Sequence, residues 1–219
     1  TISVDGLTLT NGSSTQGGAI RASGGATLEI TNSTLSSNTS TGAAGGGAIY
    51  ASSSGTTVTI SGSTFTSNSA SAATGDGGHI TSLASGGTLT ITNITFSGGS
   101  ANDLGGGVVA LGLNTVTISG SAFTGISAAF GGGAFLNGST ISVTGSTFSG
   151  NSSSNYAGGL LVNASGTGTL NNVTISGNTA NSYSGGRRLS GTVNIYNSTI
   201  TNNRADNNDS GGTSHIGGG

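Results

Sequence analysis

The chain repeats one pattern eight times, at intervals of 25 to 31 residues. A repeat of that length restricts the fold to stacked units sharing one continuous core. One apolar column holds Leu9, Leu35, Phe65, Phe96, Phe123, Phe148, Ile175 and Ile200. Five residues before each stands a second column: Val4, Ile30, Ile60, Ile91, Ile118, Val143, Leu170 and Ile195. Two residues earlier lies a third, Ile2, Leu28, Val58, Leu89, Val116, Ile141, Gly168 and Val193, with Gly168 its one gap. The residue before that is threonine in every copy: Thr1, Thr27, Thr57, Thr88, Thr115, Thr140, Thr167 and Thr192. Alternation such as Thr57-Val58-Thr59-Ile60 is the period-two pattern of a strand with one buried face. It predicts that the threonine column faces outward.

Corners are legible too. Two residues after the second column only Gly and Asn occur: Gly6, Asn32, Gly62, Asn93, Gly120, Gly145, Asn172 and Asn197. These residues tolerate a left-handed backbone, so the position is predicted to have positive φ. Three residues after the first column, Asn38, Asn68, Asn151, Asn178 and Asn203 recur, with Gly12, Gly99 and Ile126 as exceptions. Stacked amides of this kind can bond along the column. Each unit then crosses a variable Ser/Asn/Gly/Ala stretch to a Gly-Gly pair, ending at Gly18, Gly47, Gly78, Gly107, Gly133, Gly159, Gly186 and Gly212. Two residues on, Ile20, Ile49, Ile80, Val109, Phe135 and Leu161 predict a third, inward-pointing strand position. Three short strands and three bends per unit predict a single-stranded right-handed parallel β-helix of about eight rungs. It is read as one all-β domain over residues 1–219, roughly 38 Å long at ~4.8 Å per rung.

Composition excludes several functions. Charged residues make up 5% of the chain, and the formal charge is −2. Nucleic-acid binding needs clustered Lys and Arg, and the one basic pair is Arg187-Arg188. No apolar run approaches the ~20 residues of a membrane helix. The absence of Cys removes disulfides and thiolate metal sites. No cofactor, catalytic residue or metal site is expected.

The units resemble the repeats of polymorphic outer membrane proteins, which pair a Gly-Gly-Ala-Ile segment with a Phe-x-x-Asn segment. The first is present as Gly17-Gly18-Ala19-Ile20 and Gly46-Gly47-Ala48-Ile49, the second as Phe65-Thr66-Ser67-Asn68 and Phe148-Ser149-Gly150-Asn151. The resemblance spans the chain, with Arg187-Arg188 departing from the Gly-Gly strand of the seventh unit. It implies an extracellular, surface-displayed β-helix of the autotransporter-passenger kind, often adhesive.

Candidate chemistry is sparse. Parallel β-helices include carbohydrate lyases, which gather carboxylates around Ca²⁺ beside a basic residue. Here Asp5 and Glu29 share an outward face in adjacent rungs, about 8 Å apart by rung geometry, with no third acid. His79 and His215 lie five rungs apart, roughly 24 Å along the axis, and read as satisfied or surface histidines. Asp206-Asn207-Asn208-Asp209 reads as a solvated Asx-turn loop, with loose Ca²⁺ binding as the alternative. Arg188 falls where Leu161 points inward, unless the strand slips so that Leu189 fills the core.

Two hydroxyl faces stand out. One carries Thr57 with Thr59, Thr88 with Thr90, Thr115 with Thr117, then Thr140 and Thr167; the other carries Thr64, Thr95, Thr147 and Thr174. Both suit a soluble strand exterior, a surface for glycans or a host matrix, or an ice-binding face interrupted by Glu29, Asn194 and Tyr196. The leading expectation is a non-enzymatic structural or adhesive rod, extracellular or at a cell surface. Its ends are in matching phase, Thr1 opening on the threonine column and the final Gly pair closing at Gly212. Stacking head to tail on copies of itself, or on neighbouring repeats of one polypeptide, is therefore expected.

Overall fold

A computed structural model describes residues 1–205, so His215, the Asp206–Asp209 stretch and Gly212 lie outside the described residues. The chain forms a parallel β-solenoid of about eight turns, with three strands per turn and three sheets running along the axis. A representative turn passes from Thr57–Ser61 in the first sheet to Thr64–Thr66 in the second and Ser69–Ala70 in the third. It then returns to the first sheet as Ile80–Leu83. The two-residue strands of the third sheet lie inside what the sequence presents as a variable loop. The returning strand joins the first sheet instead of forming one of its own. From the fourth turn on, the return and the next first-sheet strand fuse into Val108–Ser119, Ala134–Thr144, Leu160–Asn171 and Arg187–Tyr196.

Register follows the apolar columns. Phe65 pairs with Leu35 and Phe96, and Phe123 with Phe96 and Phe148. The rings of Phe96 and Phe123 stack with centroids 4.6 Å apart, and those of Phe123 and Phe148 with centroids 4.5 Å apart. All four phenylalanines are fully buried. Each such side chain contributes about 1.5–3 kcal/mol by leaving water, and each aromatic pair about 0.5–1.5 kcal/mol more. The threonine column pairs Thr88 with Thr57 and Thr115, and Thr140 with Thr167, on the outer face as the alternation predicts.

All eight Gly/Asn corner residues have positive φ, including Asn93 and Asn172 at 56°. A second left-handed column, invisible to a search for Gly and Asn because it includes Ser37 and Ser67, runs through Asn11, Gly98, Gly125, Gly150, Gly177 and Asn202. A third runs through Gly17, Gly46, Gly77, Gly105, Gly131, Ala157 and Ser184. This third column corrects the register of the returning strand. Gly107 bonds in line with His79 and Ala48, not with Gly78. Ile80 therefore pairs with Val108, and the inward column continues through Ala134 and Leu160 to Arg187. Val109, Phe135 and Leu161 face outward, contrary to the sequence expectation. The physical reason is a shift of the left-handed corner. It lies two residues before the last glycine at Gly105, Gly131, Ala157 and Ser184 but one residue before it at Gly17, Gly46 and Gly77, a shift concealed by the glycine triplets at 105–107 and 131–133. They leave the pair ambiguous by one residue, and one residue of slip reverses the face of every side chain. Arg188 consequently points out, while Leu189 packs against the core.

Two inner ladders tie the turns together. Asn178 Nδ2 donates to Phe148 O at 2.9 Å and to Asn203 Oδ1 at 2.9 Å. Its Oδ1 accepts from the backbone N–H of Asn151 at 2.9 Å and from Asn151 Nδ2 at 3.0 Å. Both donors and both acceptor sites of the buried amide are used. A serine ladder, unread in the sequence, occupies the residue after the first corner. Ser63 Oγ accepts from Ser33 N at 3.0 Å and donates to Ser61 O at 2.9 Å. Ser146 repeats this, its Oγ accepting from Ser121 N and donating to Thr144 O.

The gap in the asparagine ladder at Gly99 is filled by His79. Asn68 Nδ2 donates to Leu35 O at 2.9 Å and meets His79 Nδ1 at 3.0 Å. An amide nitrogen only donates, so Nδ1 accepts and the ring proton sits on Nε2. The ring lies between Phe65 and Phe96, with centroids at 6.1 and 5.5 Å. A Cβ on Gly99 would come within 2.4 Å of His79 Nε2. Histidine and glycine here replace the alanine and asparagine that stand one turn earlier, Ala48 and Asn68.

Two stability predictions follow from these positions. Asn93→Val and Asn172→Val each lose at least ~1 kcal/mol in denaturant unfolding, because a β-branched residue resists positive φ. Asn→Gly at the same sites stays within a few tenths of wild type if backbone conformation is the cause. His79→Ala and Gly99→Asn each destabilise by about 2 kcal/mol, through a cavity and a clash respectively. The double variant loses less than their sum by about 1–3 kcal/mol. Strict additivity in the melting data would refute the pairing.

Candidate functional site

Three outer surfaces run along the solenoid. The first sheet presents Thr57, Thr88, Thr115, Thr140 and Thr167 in one column and Thr59, Thr90 and Thr117 in the next, matched rung to rung. The second sheet presents Thr64, Thr95, Thr147 and Thr174, with Ala122 between Thr95 and Thr147. All these threonines are exposed or half-buried, alternating with core residues. Their neighbours two residues on bond along the axis, as in Thr66 Oγ1 to Ser97 Oγ at 3.3 Å. The corner residues Asn32, Gly62, Asn93, Gly120, Gly145, Asn172 and Asn197 make the left-handed bend between these two sheets. They shape the faces without forming a site.

Asp5 and Glu29 lie diagonally on one outer face in adjacent rungs, as their spacing in the sequence predicts. Asp5 pairs in register with Thr31, whereas Glu29 pairs with Ser3. Thr31 and Asn32 donate hydrogen bonds to the Asp5 carboxylate and hold its pKa below the usual aspartate value. Among the described residues no group of three or more His, Cys, Asp or Glu has metal-binding geometry.

Sequence reasoning missed the third surface. The residue before the third left-handed corner forms the column Gln16, Gly45, Asp76, Leu104, Phe130, Tyr156 and Tyr183. Their alignment follows from bonds such as Gly131 N to Tyr156 O and Ala157 N to Tyr183 O. The sharp turn brings this column against the outward side of the returning strand, which carries Tyr50, Thr81, Val109, Phe135, Leu161 and Arg188. Towards the last turns the two columns become apolar and aromatic. Phe130 and Tyr156 have ring centroids 5.3 Å apart, and Tyr156 and Tyr183 5.2 Å. The Arg188 guanidinium lies 4.9 Å above the Tyr156 ring, a cation–π contact. Beside them opens a hollow of about 340 Å³ between Leu104 and Arg188, edged by Asn163 and Ser190. An adjoining hollow of about 310 Å³ reaches Tyr183 and shares Tyr156 and Arg188. The available signal was the spacing of Leu104, Phe130, Tyr156 and Tyr183, one large apolar residue per turn, directly before a glycine-rich corner.

One turn before Leu104 in this column stands Asp76, half-buried. Burial, followed by the nearby Asp103 charge, pushes its pKa up to about 6 despite a hydrogen bond from Leu104 N at 3.1 Å. His79 close by is pushed down to about 3 by complete burial. The two groups act oppositely on stability. Asp76 has a folded pKa above its unfolded 3.8, so its contribution is full below that value and fades as pH rises through about 6. His79 has a folded pKa below 6.5, so its contribution is full above 6.5 and fades as pH falls towards about 3. Melting temperatures between pH 4 and 7 check this. Asp76→Asn gains more over wild type at pH 7 than at pH 4, and His79→Gln flattens the acid-side loss. A parallel pH profile for either variant and wild type would remove that group from the account.

Comparison with known protein families, with curated proteins and with solved structures found no match to this chain.

Proposed function

We propose that the chain is a non-enzymatic, extracellular structural or adhesive rod that displays surface columns on a rigid axis. The observation carrying this reading is the constant register of the first and second sheets from turn to turn. The core column, the asparagine and serine ladders and the outer hydroxyl columns keep one register over successive turns. Length differences between units fall on either side of the returning strand, before it and between it and the next first-sheet segment, where the register shifts. A scaffold of this kind repeats a weak contact many times, and repetition raises avidity without a deep pocket. The resemblance to polymorphic outer membrane protein repeats supports display at a cell surface. The partner this reading implies is a further coil, from the same polypeptide or from a second copy. The in-register Thr57/Thr59, Thr88/Thr90 and Thr115/Thr117 pairs also support a second reading, an ice-binding face.

Incubating the labelled protein with polysaccharides, matrix proteins and cells tests the proposal. Retention on at least one surface, with every polysaccharide left uncut, is the expected result. Newly formed reducing or unsaturated sugar ends would overturn the non-enzymatic assignment, and no retention anywhere would overturn adhesion. Thermal hysteresis abolished by Thr90→Tyr would replace adhesion with ice binding.

A further inference from the structure

We infer that the aromatic groove around Tyr156 and Arg188 is a binding site for an acidic oligosaccharide, a chain of uronic-acid-type pyranoses. The inference deepens the adhesive reading by naming one site and one ligand class. The rod could still adhere through its hydroxyl faces if this site proved empty.

Four observations combine. First, aromatic rings follow one another along the axis at 5.3 and 5.2 Å, from Phe130 through Tyr156 to Tyr183. That step is close to the length of a pyranose residue linked through opposite ring carbons, so successive sugars can meet successive rings. The C–H face of a pyranose is apolar and packs on an aromatic surface, while its hydroxyls remain at the edge. Second, the groove is shallow and elongated, two adjoining hollows sharing Tyr156 and Arg188. That form suits a chain lying along the rod. Third, the polar groups are at the edge. Asn163 and Ser190 pair in register beside the strand positions of Leu161 and Arg188, where they can donate to and accept from sugar hydroxyls.

Fourth, the charge is complementary. Arg188 is exposed, and among the described residues no acidic side chain lines either hollow. The guanidinium lies over Tyr156, and its N–H fork, which has no hydrogen-bond partner among the described residues, matches a carboxylate in two parallel hydrogen bonds. Arg187, the neighbouring residue, belongs to the inward column, so the positive charge at the groove is that of Arg188. A neutral glycan would leave that charge unused, and a nucleic acid would need a broader basic field than a chain of net charge −2 offers.

Titration of the intact chain with an oligogalacturonate, followed by tyrosine fluorescence (the protein has no Trp) and by calorimetry, tests the site. Arg188 and Tyr183 are exposed, so Arg188→Gln and Tyr183→Ala leave the core intact, as an unchanged melting temperature will show. Saturable binding is expected, weakened at least tenfold by either variant and unchanged by Thr95→Val on the second sheet. The fully methyl-esterified oligosaccharide should bind at least tenfold more weakly, because it has no carboxylate for Arg188 to hold. Absence of saturable binding would overturn the site. So would equal affinity for the ester, equal affinity for a polyglutamate of matched charge, or indifference to Arg188→Gln. If the site falls while the protein is still retained on surfaces, the adhesive reading stands without it. Loss of both ends that reading too.

Discussion

Everything in this solenoid depends on hydrogen bonding along its axis. Each turn has too few apolar side chains to bury a core by itself, and each strand has both edges open. Stacking supplies the missing partners at once: backbone groups pair between turns, and every inward side chain meets its counterpart above and below. The asparagine ladder extends that logic into the interior. A buried amide is costly if any of its four hydrogen-bonding positions is empty. Asn178 fills all four from neighbouring turns. The polar composition is thus compatible with a dry core, since polar groups inside are matched by identical groups one turn away.

The same dependence explains where the pattern can be broken. His79 replaces a ladder amide, but only because Gly99 leaves room for the ring and Asn68 offers it a proton. Its Nε2 remains buried without a partner among the described residues. Ile94 and Val173 replace ladder serines, yet their backbone N–H groups still donate to Ser121 and Ser198 in the following turns. A side chain can be lost from a column when its neighbours keep the remaining bonds.

The outside obeys weaker rules, and function is to be sought there. Strand faces require only a side chain that suits a pleated sheet, which the uniform threonines satisfy. The concave corner before the returning strand is less uniform. It changes along the rod from Asp76 through Leu104 to the aromatic trio and Arg188. A gradient of that kind is not needed to hold the turns together. Cation–π and ring contacts there are side-chain matters laid over a backbone that is already determined.

The three apolar columns, the outward threonines, the left-handed Gly/Asn corner and the asparagine ladder were all legible in the sequence. Each leaves a strict mark: a period of two, a residue type confined to Gly and Asn, or one amide per turn. The serine ladder and the corner containing Ser37 and Ser67 were not, because serine is common throughout and carries no distinctive signal. The aromatic groove was hidden by a more specific cause. Its two columns belong to different parts of the repeat, and the glycine triplets at 105–107 and 131–133 allow two registers for the returning strand. Sequence alone therefore determined that the chain stacks, and which residues form most of its core. Only the tertiary structure decided that Phe135, Leu161 and Arg188 face outward beside Tyr156. The left-handed turn at Gly131, Ala157 and Ser184 sets that register, and a one-residue difference there reverses inside and outside.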